Sequence, residues 1–195
     1  MEFLSLKHDR VLFVDADEVI TPELKNELKN LDWCADGYFI KGQPVWNGRP
    51  LANGLWNNKL ALLDRRKFKF PIVDDLDIPG GNELEGHYQP VGIGPVTVGQ
   101  LIYSMIHDCQ RGWEKRHENY ARWEAGMMAR QGFPPDPVAR REMLKKIFRQ
   151  MPFRGPAMFL YSYVFKNGWR DGEAGLDYAR AKAKYYRAIN YHRHR

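Results

Sequence analysis

Residues 11–14, Val-Leu-Phe-Val, are a continuous apolar run that breaks off abruptly in Asp15-Ala16-Asp17-Glu18. A half-exposed strand would alternate apolar with polar, so this run reads as a strand buried on both faces. Thr21-Pro22 then supplies an N-cap and a first-turn proline for a helix over residues 22–31, with Leu24, Leu28 and Leu31 on one side. A buried strand followed by an amphipathic helix demands a sheet with a helix packed on it, which places the start of the chain in the α/β class. Further strands are expected around Tyr38-Phe39-Ile40 and over residues 59–63. Asn47-Gly48, Asn53-Gly54 and Pro79-Gly80-Gly81 mark the loops between and after them, where a binding site could be built.

The second half changes character, with a helical pattern from about Gly112 to Gln131. Trp113, Tyr120, Trp123 and Met127 recur at helical spacing until Phe133-Pro134-Pro135-Asp136-Pro137 stops the run, and Pro137 can open the next helix. Residues 138–151 set Met143, Leu144, Ile147, Phe148 and Met151 against Arg140, Arg141, Lys145, Lys146 and Arg149. Residues 157–165 are strongly apolar, and from Gly172 the chain is again helical and basic. The expected organisation is therefore an α/β part over residues 1–110 followed by a basic helical region over 111–195. No internal repeat is visible.

Charge divides at the same place. Residues 1–100 carry 11 Lys and Arg against 15 Asp and Glu, whereas residues 101–195 carry 19 against 9. An acidic half followed by a basic half predicts a polar, cation-holding site first and a surface for polyanions later. With 44% hydrophobic residues, the 195-residue chain can bury a core, which excludes a wholly disordered or collagenous protein. Two cysteines, Cys34 and Cys109, are too few for a disulfide framework and indicate a reducing compartment. No run approaches the ~20 apolar residues of a membrane span. The first ten residues hold no apolar stretch long enough for a signal peptide. The expected location is the cytoplasm, including the inner face of the cell membrane.

Asp15, Asp17 and Glu18 stand at the expected C-terminal end of the first strand, the edge of an open α/β sheet at which ligands bind. Three carboxylates this close repel one another unless a metal ion or a basic partner intervenes. An all-oxygen set suits Mg²⁺ or Mn²⁺, and Mg²⁺ commonly uses one or two carboxylates plus substrate phosphates. The same residues also read as a solvated acidic loop that favours the following helix N-terminus. Two enzyme classes place Asp-x-Asp after an apolar strand. In haloacid dehalogenase-type phosphatases the first aspartate is the nucleophile, and Asp15-Ala16-Asp17-Glu18-Val19 fits that motif, with Val73-Asp74-Asp75 imitating the later acidic one. In nucleotide-sugar glycosyltransferases the aspartates hold the metal and the donor diphosphate.

Beyond this motif, the stretch VLFVDADEVITPEL at residues 11–24 resembles family 2 glycosyltransferases, in particular the bacterial lipopolysaccharide core β-1,4-glucosyltransferase group. Asp36-Gly37-Tyr38-Phe39-Ile40 resembles that group's next strand, and Leu62-Leu63-Asp64-Arg65-Arg66 its Arg-Arg strand. Ile106-His107-Asp108, Glu118-Asn119-Tyr120-Ala121 and YVFKNGWRDGEAG at residues 163–175 resemble later segments in the same order. The resemblance implies a partial GT-A-like, Rossmann-related mixed sheet followed by C-terminal α-helices. It also implies that the chain is the acceptor-side part of such an enzyme, because the N-terminal nucleotide-binding half of the family has no counterpart here. A first strand without that half would lose its sheet neighbours and expose an edge prone to association.

The activity implied is inverting transfer of a sugar from a nucleotide-diphosphate donor to a cell-envelope glycan or glycolipid. Asp15 and Asp17 would bind Mg²⁺ or Mn²⁺ and the diphosphate. The base that deprotonates the acceptor hydroxyl would come from the stretch after the Arg-Arg strand. Glu85 is the first choice, being nearest His87, then Glu83, then Asp75; each also reads as a carboxylate of a polar loop, and His87 as a structural histidine. Gly92-Ile93-Gly94 with Gly99 does not form a phosphate loop, since Pro95 intervenes and no helix follows. A catalytically silent, membrane-associated module is the alternative that the missing half suggests.

The basic helices over 138–151 and 172–190 have two readings. Their apolar stripes close the core and their cations are solvated, or the stripes lie in a membrane interface with the cations on anionic headgroups. The helical spacing of Trp113, Tyr120 and Trp123 suggests packing rather than base stacking, so nucleic acid is not an expected partner. Self-association into a homo-oligomer follows from the exposed edge.

Overall fold

A computed structural model describes residues 7–74, 76–78, 88–110, 112–134, 136 and 138–194. The fold is mixed α/β, a mixed sheet followed by C-terminal helices. The strands are β1 (Arg10–Leu12), β2 (Glu18–Ile20), β3 (Gly37–Trp46), β4 (Arg49–Pro50), β5 (Asn57–Asp64), β6 (Phe68–Lys69), β7 (Val91–Gly92) and β8 (Val98–His107). The main sheet has the order β1-β5-β3-β8-β2 with β4 added to β3, and β6 pairs with β7 apart from it. β3 and β8 run parallel, and the other pairs in the main sheet are antiparallel.

Helix α1 (Pro22–Lys29) starts as its sequence dictates. The Thr21 hydroxyl accepts from the Leu24 amide at 3.2 Å and donates to the Ser104 carbonyl at 2.9 Å, so one side chain caps the helix and ties it to β8. Leu24 is fully buried against Tyr38, Ile40, Ala61, Leu62, Leu101 and Met105, with Leu28 and Leu31 beside it. From the same helix, the Glu27 carboxylate accepts from the amides of Ile102 and Tyr103 at 2.9 and 3.0 Å. Those amides lie beyond the short β2, so Glu27 covers a stretch of sheet edge that would otherwise offer free donors.

Two expectations are corrected here, and one strand was not anticipated. The run at residues 11–14 is not a fully buried strand: β1 is a three-residue edge strand, and Val14 is 42% exposed. It reads as unbroken because Leu12 packs on the α1 side, while Val11 and Phe13 pack on the other against Phe39, Leu60, Leu63 and Phe68. Among the described residues its second edge meets no strand. Next, Asn47-Gly48 and Asn53-Gly54 are structural turns. Asn47 and Gly48, at φ of 51° and 68°, make the two-residue hairpin between β3 and β4. The Asn53 region is tied down by Asp171, which accepts from the Ala52 and Asn53 amides at 3.1 and 2.8 Å. Pro79-Gly80-Gly81 lies outside the described residues. Finally, β8 carries no strand signal that the sequence reading used, yet it is a ten-residue strand paired on both sides.

The helices are α2 (Trp113–Arg130), α3 (Ala139–Gln150), α4 (Arg154–Leu160) and α5 (Gly172–Arg193), with a π-helical turn over Tyr161–Phe165 and a 3₁₀ turn over Gly168–Asp171. α2 ends at Arg130, with Gln131 left-handed at φ 52°, just before Phe133-Pro134; Pro135 and Pro137 are outside the described residues. Trp46 of β3 meets Trp113 of α2 edge-on at 5.1 Å and Tyr178 of α5 at 5.3 Å, with Leu51, Cys109 and Ala174 around them. Trp113, Tyr120, Trp123 and Met127 are all buried, as the packing reading of their spacing requires.

The two basic helices part company. Ala174, Tyr178, Ala179, Ala183 and Ile189 of α5 are buried, so its stripe closes the core and the membrane-facing alternative is withdrawn for it. α3 buries none of its residues. No helix among the described residues is long and apolar enough to cross a membrane.

Candidate functional site

The chain leaves β1 at Phe13 and closes a tight turn before β2. The Glu18 amide donates to the Asp15 carbonyl at 3.0 Å, and the Asp15 amide donates to Glu18 Oε2 at 2.9 Å. This reciprocal pair brings Asp15, Asp17 and Glu18 together. Asp15 is half-exposed, Asp17 mostly covered, and the Glu18 side chain only 1% exposed.

Three basic side chains from three other places converge on these carboxylates. Lys59 of β5 donates to Asp15 Oδ2 at 2.9 Å and also to Glu18 Oε2. His107 at the end of β8 lies with Nε2 3.5 Å from Asp17 Oδ2. Arg116 in the first turn of α2 donates to Asp17 Oδ2 and to the Cys109 carbonyl, both at 3.2 Å. The Asp108 amide donates to the Asp17 carbonyl at 2.8 Å, which locks the turn to the β8–α2 junction. Gly42 of β3 forms the floor: a Cβ there would lie 3.4 Å from His107 Cβ and 3.8 Å from Glu18 Oε1. The repulsion among three clustered acids is thus relieved by basic partners from the protein itself.

Two polar atoms of the cluster are buried without a hydrogen-bond partner, Glu18 Oε1 and Arg116 Nε. An acceptor and a donor left open in one site are unusual in a folded interior, where most such groups are paired. They give the cluster spare capacity for a ligand that carries both kinds of group.

The hydrogen bond with His107 is the main reason that the Asp17 carboxyl falls to about 2; burial opposes it, and Arg116 adds to it. A lowered folded-state value means that Asp17 contributes stability above its unfolded value near ~4, and that the contribution is lost as pH falls from there towards 2. Asp17→Asn is therefore expected to remove about 1–2 kcal/mol at neutral pH. It should also flatten the acid limb between pH ~4 and ~2, as read from urea midpoints across that range. An unchanged acid limb would show that the Asp17 pairing carries no stability.

Of the residues proposed from sequence, Asp15 and Asp17 are brought together, whereas Glu85, Glu83, Asp75 and His87 lie outside the described residues. Near them, Asp74 accepts from Trp123 Nε1 at its carbonyl and from Arg130 at its carboxylate, both at 2.7 Å, and Tyr88 packs on Trp123 at 5.4 Å. Lys59 and Arg116 were not singled out. A lysine standing directly before the apolar stretch at residues 60–63 was the only available signal, because strand register, which puts Lys59 opposite Ile40, decides where it points.

Among the described residues, no group of three or more His, Cys, Asp or Glu is disposed to hold a metal ion. The donors are nevertheless hard oxygens, and Glu18 Oε1 is an orphaned one. Such oxygens would suit Mg²⁺ or Mn²⁺ only together with further oxygen ligands such as phosphate, because the described residues supply no complete set. Open grooves of about 580 and 430 Å³ run along α3 and α1, and neither touches the cluster. No family model matches the chain, and comparison with curated proteins and with solved structures finds no match.

Proposed function

We propose that the chain is a family 2-like glycosyltransferase. Its reaction would be inverting transfer from a nucleotide-diphosphate sugar to a cell-envelope glycan or glycolipid. The observation that carries this reading is the Asp-x-Asp turn itself. It leaves the end of an edge strand of a mixed sheet, keeps a buried acceptor and a buried donor open, and gathers Lys59, His107 and Arg116 around it. Carboxylates for a phosphate-bound cation beside cations for the phosphates themselves make a diphosphate site.

In this reading Asp15 and Asp17 would hold the ion, and Arg116 and Lys59 would exchange their carboxylate contacts for phosphate oxygens of the donor. Bound Mg²⁺ or Mn²⁺ supplies charge neutralisation for the departing diphosphate. The acceptor hydroxyl gives its proton to a carboxylate, with Glu85, Glu83 and Asp75 in that order of preference. The aspartyl-nucleophile alternative gains no support from β1, which pairs antiparallel with β5 at the sheet edge.

A second reading has its own observation. All three carboxylates already hold protein cations, the arrangement of a structural cluster in a catalytically silent module. Titration calorimetry with Mn²⁺ and a nucleotide-diphosphate sugar separates the two. The transferase reading expects saturable heat that requires both components and disappears in Asp17→Ala. Heat that is absent, or equal in Asp17→Ala, leaves the silent module.

A further inference from the structure

α3 presents an apolar stripe with nothing on it. Met143, Leu144 and Ile147 are 55%, 54% and 54% exposed, and Met151, one turn on, is 39% exposed. Phe153, just past the helix, is 72% exposed. Residues 143, 147 and 151 succeed one another at i, i+4 spacing, so the stripe runs ~12 Å along one face.

The opposite side of α3 is what the protein holds. Phe148 meets Tyr186 of α5 edge-on at 5.1 Å, Arg149 lies over the Phe133 ring at 3.9 Å, and Arg141 over Phe39 at 4.8 Å. Buried Asp136 takes Lys145 at 2.6 Å and Arg141 at 3.4 Å, and Glu142 accepts from the Asp136 amide at 2.9 Å and pairs with Arg149 at 3.6 Å. These contacts fix the orientation of the helix and leave its stripe outward.

Charge decides the occupant. The helix carries five basic residues against one acidic. Arg140 and Lys146 are exposed and have no ion-pair partner among the described residues. Arg140 stands one turn before Met143 and Leu144 on the same face, and Lys146 flanks the stripe. We propose that α3 docks the protein on an anionic phospholipid bilayer, with Met143, Leu144, Ile147 and Met151 in the acyl boundary and Arg140 and Lys146 on lipid phosphates.

An exposed apolar stripe flanked by long cationic stems fits a deformable surface, where the stems lie along the apolar boundary and the charges reach the headgroups. A second copy of the chain is the poorer occupant. It would bring the same positive charge to the contact, and four half-exposed side chains fall short of the ~800 Å² per partner of a stable interface. This inference rests on α3 alone and is independent of sugar transfer.

Vesicle co-sedimentation of the full chain tests it, with phosphatidylcholine vesicles against vesicles doped with phosphatidylglycerol. Binding is expected to the doped vesicles, weakened by salt. Arg140→Glu and Lys146→Glu should each lower it about fivefold or more, and Ile147→Glu about tenfold or more. Since these side chains are exposed, circular dichroism should be unchanged, and Ile147→Ser repeats the test without a new charge. Equal binding to both vesicle types, or none to the doped ones, overturns the proposal. So does sedimentation showing a dimer that Ile147→Ser dissociates while vesicle binding stays put, which would assign the stripe to a second copy.

Discussion

Replacing Arg154 with leucine is expected to destabilise the protein by about 3–5 kcal/mol, the range found when one partner of a buried ion pair is removed. Arg154 is fully buried at the start of α4. Its guanidinium donates to Glu124 Oε1 at 2.9 Å, to Asn190 Oδ1 from Nε and Nη2 at 3.3 and 3.2 Å, and to Met128 Sδ at 3.5 Å. Glu124 also accepts from the Tyr185 hydroxyl at 2.8 Å, and the Arg154 guanidinium lies 5.7 Å from the Tyr186 ring. One cation therefore joins α2, α4 and α5. Leucine would fill some of the volume but leave Glu124 as an anion with one neutral donor, largely out of water. The desolvation already spent on that carboxylate would then lack its Coulombic return.

A cycle with Glu124→Gln separates the pair from the packing. Arg154→Leu and Glu124→Gln should each be strongly destabilising, and Arg154→Leu with Glu124→Gln should recover much of the loss, because neither charge is then stranded. Urea midpoints at neutral pH give the values. A loss below ~1 kcal/mol for Arg154→Leu would mean that water replaces the guanidinium, which a side chain with no exposure does not allow.

The same contrast shows where sequence reasoning reaches its limit. A Thr-Pro start and leucines at helical spacing located α1, because cap chemistry and helix periodicity are local. The edge position of β1 was hidden, since a strand packed on both faces has the same apolar run whether one or two neighbours bond to it. β8 was missed because its long pairing with β3 depends on residues some sixty positions away. Asp15 and Asp17 were legible as a cluster, but their partners were not: Lys59, His107 and Arg116 come from β5, β8 and α2, and only sheet register and the β8–α2 junction bring them together. α3 and α5 look alike as basic amphipathic segments. One stripe is buried and the other open because α5 lies between α2 and α4, whereas α3 is held by the flank opposite its stripe.

Gly175→Ala is expected to cost about 3 kcal/mol, and two opposed effects make the sign informative. Alanine is a better helix former than glycine by about 1 kcal/mol in a helix interior, so propensity alone predicts stabilisation. Packing opposes it. A Cβ at Gly175, in the first turn of α5, would sit 2.0 Å from the Gly168 carbonyl oxygen and 3.0 Å from Asp171 Cβ. Gly168 cannot retreat, because a Cβ at that residue would itself meet the Ser162 carbonyl at 2.7 Å: the π-helical turn, the 3₁₀ turn and α5 are stacked backbone on backbone. Moving α5 away would shift Asp171, whose carboxylate holds the Ala52 and Asn53 amides. Overpacking of an interior normally costs ~1–3 kcal/mol, and a backbone obstacle belongs at the upper end. Gly126→Ala is the matched control, since its Cβ at 2.5 Å meets only the terminal methyl of Leu76, which can rotate aside. That variant should be neutral or slightly stabilising. Denaturation midpoints that rise for both variants would show that propensity outweighs packing and that α5 is free to move off the 3₁₀ turn; a fall confined to Gly175→Ala establishes the stack as a fixed joint between the helices and the loop at residues 52–54.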